Sequence, residues 1–182
     1  MNSLSVVERY KNRTIPFRFD GAELSFHLSL ALFSSYDVDA GTKLLLKTLA
    51  QRVDFSKARN LLDLGCGVGT IGLSVAKRHP HLRVTLQDRD VLAVRFSQAN
   101  AAMNGIDNCT ASADLAFLRL PEERYDLIVS NLPAKAGEPV LRLMVEHMIS
   151  QLGSSGNGVA AAVVVEPLRK AVGRMIAESG AH

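Results

Sequence analysis

The sequence predicts a doubly wound α/β fold in which a mostly parallel sheet follows an N-terminal β-hairpin. From residue 41 onward, segments with apolar residues at helical spacing alternate with short apolar runs, the pattern of βαβ units that share one sheet. Upstream, two β-prone runs flank Asp20 and Gly21, a pair suited to the positive φ angles of a tight hairpin turn. The length fits a single domain over residues 1–182, with 1–40 as a preface and 41–182 as the α/β core.

Periodicity and capping signals position the individual elements. Pro80 ends the second helix, Asp90 caps the third, and Asn104 with Gly105 provides a left-handed exit from it. The predicted strands are Thr14–Phe19, Glu23–Leu28, Asn60–Leu64, Leu82–Gln87, Asn108–Ala113, Tyr125–Ser130 and Val159–Val165. The predicted helices are Thr42–Arg52, Thr70–Arg78, Val91–Met103, Val140–Leu152 and Leu168–Ser179. The segment 153–158, rich in Gly and Ser, is expected to be a surface loop.

Composition restricts the class of protein. The chain is 47% hydrophobic and 21% charged and contains no Trp, which is typical of a soluble globular protein with an aliphatic core. Cys66 and Cys109 lack metal-ligand spacing and are expected to be free thiols, and the histidines show no ligand spacing either, so we expect no metal. We find neither a signal-peptide core nor about 18 consecutive apolar residues, and therefore expect a cytoplasmic protein without a membrane span.

The first twenty residues combine basic and aromatic side chains. The formal net charge of +3 permits an anionic partner such as RNA, and this combination suits phosphates and bases. Arg13 and Arg18 are the candidate substrate contacts. A solvated strand edge with protective charges is the competing interpretation. The cluster comprises Arg9, Tyr10, Lys11, Arg13, Phe17, Arg18 and Phe19.

A glycine-rich loop joins the strand Asn60–Leu64 to the next helix. It has the pattern Gly-x-Gly-x-Gly after Asp63, whereas a dinucleotide-binding loop has Gly-x-Gly-x-x-Gly and directs its amides at a pyrophosphate. S-adenosylmethionine has no phosphate, and its amino-acid end and sulfonium suit an acidic residue and close backbone approach. The loop therefore favours this cofactor, with the amides at the helix N-terminus facing it; a tight turn without a ligand is the alternative. The candidate cofactor-binding residues are Asp63, Gly65, Cys66, Gly67 and Gly69.

Two further carboxylates follow the next two strands of the predicted sheet. Asp88 stands where a doubly wound nucleotide site places an acceptor for ribose hydroxyls. We prefer it to Asp90, for which helix capping is the better interpretation. Asp114 lies at the same sheet edge and is a candidate acceptor for the adenine amino group, with an exposed loop residue as the alternative.

Residues spread along the chain resemble one enzyme family. Asp63 to Gly69, Asp88 and the segment Asn131-Leu132-Pro133-Ala134 resemble the small-domain methyltransferases, and Phe33-Ser34 with 39–45 is similar to bacterial ribosomal RNA guanine-N2 methyltransferases. The resemblance covers roughly residues 15 to 166 and implies a Rossmann-like methyltransferase fold of seven strands, the last two an antiparallel pair. That C-terminal strand pair is expected to be missing here.

The same resemblance implies a role for the residues after the fourth strand of the core. The family has Asn-Pro-Pro followed by Phe or Tyr, in which the Asn binds the exocyclic amine to be methylated and the ring stacks on the flipped base. Asn131 and Pro133 match and are the predicted catalytic residues, with Asn131 also touching the cofactor. Ala134 departs from the pattern and removes the stacking ring, while Lys135 is a candidate for a phosphate or carboxylate.

The function implied is S-adenosylmethionine-dependent methyl transfer to an exocyclic amine of an RNA base. Methyl transfer to a small molecule or protein is a second hypothesis, favoured by Ala134 and the modest charge. A catalytically silent cofactor-binding scaffold is a third. The sequence leaves the oligomeric state open.

Overall fold

The computed structural model describes residues 3–32, 36–114, 124–153 and 158–179. Its strands are β1 (Arg13–Phe19), β2 (Ala22–Leu28), β3 (Asn60–Leu64), β4 (Arg83–Asp88), β5 (Cys109–Ala113), β6 (Leu127–Asn131) and β7 (Val159–Val163). Its helices are α1 (Ser3–Tyr10), α2 (Ala40–Arg52), α3 (Thr70–Arg78), α4 (Val91–Met103), α5 (Glu138–Ser150) and α6 (Arg169–Glu178). Short 3₁₀ turns occupy Phe55–Lys57 and Glu166–Leu168.

The five core strands form a parallel sheet in the order β5-β4-β3-β6-β7. One hydrophobic cluster includes residues of α2, α3 and α4 on one face, and a second includes residues of α5 and α6 on the other. The predicted doubly wound α/β class is therefore confirmed. Among the described residues, no antiparallel strand pairs with the sheet.

The strand order places a topological switch point at β3. The chain moves from β3 to β4 on one side and later to β6 on the other. In such sheets, the loops at the carboxyl ends of the strands beside the switch point diverge and leave a crevice. All five residues of β3 are buried, so the strand is a rigid base for the loop that follows it.

The N-terminal hairpin is confirmed and is attached to α4 by asparagine side chains. Asp20 and Gly21 have φ angles of 43° and 83°, as a primed hairpin turn requires. Asn104 Oδ1 accepts from Ser25 N and its Nδ2 donates to Ser25 O. Asn100, which is fully buried, pairs with the His27 backbone in the same way.

Helix α1 was not predicted from the sequence. It places Arg9 on a helix, so the interpretation of the basic cluster as one strand edge is wrong for that residue. Eight residues do not form a stable helix in isolation, and Val7 is buried in the core. Packing of α1 against α4 is therefore what stabilises this helix.

Smaller differences concern the ends of elements. Helix α5 begins at Glu138, two residues before the predicted start, and β7 ends at Val163. Residues 154–157 of the predicted Gly/Ser loop and Phe33-Ser34 lie outside the described residues. Within the described ranges, no helix has the length and apolar character needed to cross a membrane, and no cluster of three potential metal ligands occurs.

Candidate functional site

The candidate site lies at the carboxyl ends of β3, β4 and β6. The glycine loop follows β3, Asp88 ends β4, and Asn131 ends β6. Ser130 Oγ donates to Leu64 O at 2.8 Å, which holds the ends of β6 and β3 together. The predicted residues after these three strands therefore share one sheet edge.

The glycines of the loop adopt backbone angles that other residues rarely reach. Gly65, Gly67 and Gly69 have φ angles of 74°, 56° and 88°. A Cβ at Gly67 would meet nothing within 4 Å, and one at Gly65 would have Met144 Cε at 3.8 Å as its nearest neighbour. The loop thus leaves open space in front of its backbone.

Four amides of the glycine loop donate to acceptors within the protein. Gly65 N and Cys66 N both donate to Gln87 O, at 2.8 and 3.0 Å, and Gly69 N donates to Cys66 O. Gly67 N donates to Asp88 Oδ2 at 2.8 Å. These four N–H groups stabilise the turn itself, because a loop this tight satisfies its donors within the protein.

Asp63 lies beneath the loop and is fully buried. Its Oδ2 accepts from Gly72 N in the first turn of α3 at 2.8 Å, whereas Oδ1 is buried without a hydrogen-bond partner. Burial raises the pKa of Asp63 to about 7, the hydrogen bond from Gly72 opposes this shift, and the nearby Asp88 carboxylate adds to it. A buried carboxylate oxygen without a donor is costly, so this atom is suited to a cation or donor.

Cys66 is a predicted cofactor-binding residue whose side chain packs into the core. The thiol is buried in the hydrophobic core, and burial, with the carboxylates of Asp63 and Asp88, raises its pKa well above the usual value. Its amide donates to Gln87 O. A ligand therefore contacts Cys66 only by approaching its backbone closely.

Asp88 and Asp114 complete an acidic lining. Asp88 Oδ2 binds Gly67 N, and Oδ1 accepts from Asp90 N at 2.9 Å. Asp114 Oδ2 accepts from Gln87 Nε2 at 3.2 Å. Asp90 caps α4 by accepting from Leu92 N, so its predicted capping role is confirmed. None of Asp63, Asp88 and Asp114 forms an ion pair with another described residue, so the crevice favours a cationic ligand over a pyrophosphate.

Asn131 is held by Asp39 and Thr42, two residues for which the sequence predicted no role. Its Nδ2 donates to Asp39 Oδ1 and Oδ2 at 3.1 and 3.3 Å and to Thr42 Oγ1 at 3.1 Å. Asp39 also caps α2 by accepting from Thr42 N at 3.0 Å. Among the described residues no donor binds Asn131 Oδ1, so this oxygen retains its capacity to accept; it lies on the Gly41 side of the residue, 3.6 Å from where a Cβ at Gly41 would be. The spacing Asp-x-x-Thr before a helix is a capping signal, and it identifies Asp39 as a helix cap from the sequence. It gives no indication of the contact between Asp39 and Asn131.

The residues after Asn131 divide between core and surface. Leu132 is buried in the cluster with α5 and α6, while Pro133, Ala134 and Lys135 are exposed. Ala136 N donates to Pro133 O at 3.2 Å and closes a turn. Lys135 forms no ion pair with a described residue.

Comparison with known proteins identifies the family. Residues 23–171 match the family described as the methyltransferase small domain. The chain belongs to this family. The matched range contains the glycine loop, Asp88, Asp114 and Asn131, whereas Arg13 and Arg18 precede it.

Relatives of this methyltransferase small domain are found among curated proteins and solved structures. Ribosomal RNA small subunit methyltransferase C of Actinobacillus pleuropneumoniae serotype 5b (strain L20) is 39% identical over 121 residues, 66% of this chain and 36% of the relative. The uncharacterized protein YbxB of Bacillus subtilis (strain 168) is 30% identical over 79% of this chain and 71% of its own length. The T. thermophilus 16S rRNA N2 methyltransferase RsmC, in complex with AdoMet and guanosine, has a TM-score of 0.70 at 28% identity, over 87% of this chain and 45% of that one. The chain thus spans about a third of the length of the first of these relatives.

The two predicted substrate arginines are separated in this methyltransferase small domain. Arg13 begins β1, and its Nη1 donates to Tyr36 O at 3.2 Å. Arg18 lies near the hairpin turn, where its guanidinium is 3.9 Å from Glu23 Oε1. Five residues of extended strand separate the two by about 16 Å. Only Arg13 is bound to the segment that leads into Asp39.

Proposed function

We propose that this methyltransferase small domain transfers a methyl group from S-adenosylmethionine to an exocyclic amine of an RNA base. N2 of guanine in small-subunit rRNA is the proposed acceptor. The observation that carries the proposal is the Asn131 amide, oriented by Asp39 and Thr42 beside an acid-lined glycine crevice. The names of the relatives, which specify rRNA of the small subunit and N2 of a guanine, support the choice of acceptor.

The residues of the crevice fit this cofactor. The open space before Gly65 and Gly67 accommodates a ligand against the backbone. Asp88 would accept from the ribose hydroxyls and Asp114 from the adenine amino group. The orphaned Asp63 Oδ1 would complement the positive charge of the amino-acid end or sulfonium from beneath the loop. When bound, S-adenosylmethionine supplies a methyl group made electrophilic by its sulfonium.

The chain's own contribution is orientation of the acceptor. Asn131 Oδ1 would accept an N–H of the incoming amine, so that the nitrogen lone pair faces the crevice. Positioning of this kind lowers a barrier by converting a bimolecular encounter into an oriented one. Pro133 restricts the backbone immediately after the binding residue. The amine loses its proton after attack, so the site needs no strong base.

Ala134 favours a second candidate function, methyl transfer to a small molecule or protein. The exposed methyl group of Ala134 stands where the resemblance implies a ring that stacks on a base. Base stacking on an aromatic side chain contributes about 1–3 kcal/mol. An acceptor other than a base does not require that contribution.

Labelled methyl transfer distinguishes these functions. The full chain is incubated with methyl-tritiated S-adenosylmethionine and separate RNA, protein and metabolite fractions, and calorimetric titration with the same cofactor establishes binding. We expect label in small-subunit rRNA and its loss in Asn131→Ala, while Gln98→Ala, an exposed amide variant on α4, retains it. Label in protein or metabolites alone would support the second function. Binding without transfer to any fraction would indicate a silent scaffold, and absence of binding would overturn the proposal.

A further inference from the structure

An exposed aromatic side chain stands a short stretch of chain before the residue that binds Asn131, although it is far from Asn131 in sequence. Tyr36 is 63% exposed and stands three residues before Asp39, which binds Asn131 Nδ2 at 3.1 Å. Three residues of chain span at most about 10 Å. The Cα atom of Tyr36 therefore lies no more than about 10 Å from that of Asp39, a span that one bound polynucleotide covers.

The Tyr36 ring is held in place by Arg13. The Arg13 guanidinium carbon is 5.4 Å from the ring centroid, within the range of a cation–π contact. Arg13 Nη1 also donates to Tyr36 O at 3.2 Å. These two contacts from the Arg13 guanidinium restrict both side chains. The conformational entropy lost when a ligand binds to the ring is therefore smaller.

The neighbouring charges suit a nucleic acid. Arg13 is exposed and forms no ion pair with a described residue, so its guanidinium retains donors for a phosphate. The adjacent Asp37 forms an ion pair with Lys43 at 2.8 Å; the hydrogen bond from Lys43 and, to a smaller extent, the charge of Arg13 lower the pKa of Asp37. The ring therefore lies beside a guanidinium that can bind a phosphate, and the carboxylate next to it in sequence is already paired.

We propose that Tyr36 and Arg13 form a stacking shelf for the RNA substrate. The ring of Tyr36 stacks on a nucleobase, and Arg13 binds an adjacent phosphate. The shelf supplies the stacking contact that Ala134 does not. This inference rests on the proposed RNA substrate and deepens it, because it assigns the base-stacking role to a segment more than ninety residues from the Asn131 motif.

The absence of Trp from the chain allows a direct test of stacking. Tyr36→Trp introduces a single tryptophan at the shelf, which is excited selectively over the remaining tyrosines. We expect its emission to be quenched in a saturable manner by a uridine-rich RNA oligonucleotide, by guanosine, or by both. Quenching by guanosine assigns the shelf to the target base, and quenching by the oligonucleotide alone assigns it to a flanking base. Val159→Trp is the control, because it lies at the amino end of β7, about 13 Å along the strand from Val163. Equal quenching of the two variants, or none, overturns the shelf.

Kinetics and salt dependence separate stacking from a structural role. Tyr36→Ala is expected to raise KM for rRNA about tenfold, with Tyr36→Phe within about threefold of the parent and the Kd for S-adenosylmethionine unchanged in both. Arg13→Ala is expected to reduce the steepness of the plot of log Kd for RNA against log salt concentration by about 0.7. Arg52→Ala, at the far end of α2, leaves this salt dependence unchanged. Loss of cofactor binding together with RNA binding would show a structural role and overturn the shelf.

The shelf and the proposed function fail in different ways. If the parent methylates rRNA and Tyr36→Ala does so with unchanged KM, the shelf is wrong and the function stands. If the parent methylates no RNA, the function is wrong, and the quenching experiment still decides whether nucleobases bind at Tyr36.

Discussion

Asn131 Nδ2 donates to both carboxylate oxygens of Asp39, at 3.1 and 3.3 Å, so a residue at the start of α2 sets the direction of an amide at the end of β6. An asparagine amide has a donor and an acceptor end that can exchange by rotation. Because the donor end is bound by Asp39 and Thr42, the acceptor end is the one that retains hydrogen-bonding capacity.

Asp39→Ser is expected to lower kcat at least about tenfold, because loss of about 1.4 kcal/mol of transition-state positioning has that effect. Serine is also a good N-cap, so α2 keeps its start. The Kd for S-adenosylmethionine is expected to stay within about twofold. Single-turnover methylation and calorimetry measure the two quantities.

Asp54→Ser is the matched control for this prediction, since Asp54 is exposed and caps the 3₁₀ turn that begins at Phe55. Its kcat should equal that of the parent. If Asp39→Ser and Asp54→Ser behaved alike, Asp39 would be only a helix cap.

Asp88→Ser is expected to raise the Kd for S-adenosylmethionine about tenfold or more, because it removes the acceptor for Gly67 N and the proposed ribose acceptor. Asp90→Ser preserves the cap of α4 and should change Kd by less than about twofold. Isothermal titration of both variants checks the difference. Equal effects of the two substitutions would contradict the assignment of Asp88.

Gly72→Ala is expected to lower the free energy of unfolding by about 1–3 kcal/mol. A Cβ there would collide with Leu86 Cδ2 and lie 3.0 Å from Asp63 Oδ2, and both side chains are buried. Gly173→Ala in α6 is the matched control, because its Cβ would meet nothing within 4 Å. It should stabilise the helix by about 0.5–1 kcal/mol. Urea denaturation measures both, and a stabilised Gly72→Ala would show that the close packing at Gly72 is not required.

The free energy of unfolding is expected to fall as pH rises from about 4 to about 7, by up to about 4 kcal/mol relative to Asp63→Asn. Burial raises the pKa of Asp63 from 3.8 to about 7. The folded state therefore keeps a proton that the unfolded state loses in this window, and the slope is negative. Urea denaturation of the parent and of Asp63→Asn at about pH 4 and about pH 8 measures the difference. Parallel pH dependence of the two proteins would show that Asp63 titrates normally.

Structural features that depend on residues close together in the sequence were predictable from the sequence. The positive φ angles at Asp20 and Gly21, the Asp90 cap and the exit of α4 at Gly105 agree with the structure. Turn and capping chemistry acts within about one helical turn of chain, so the residue types reveal it. The helix α1 was missed because its stability comes from packing and not from its own eight residues.

The sequence by itself determined the class of the fold, the glycine loop after β3, and the meeting of Asp88 and Asn131 at one edge of a parallel sheet. Periodicity and strand direction are enough for these. Only the tertiary structure decided that the loop amides bind within the protein, that Asp63 is buried, that Asp39 lies beside Asn131, and that Arg13 contacts Tyr36. Asp39 and Asn131 are 92 residues apart. Their contact exists because α2 and β7 pack together next to β6. This packing involves distant parts of the chain, so no local sequence pattern encodes it.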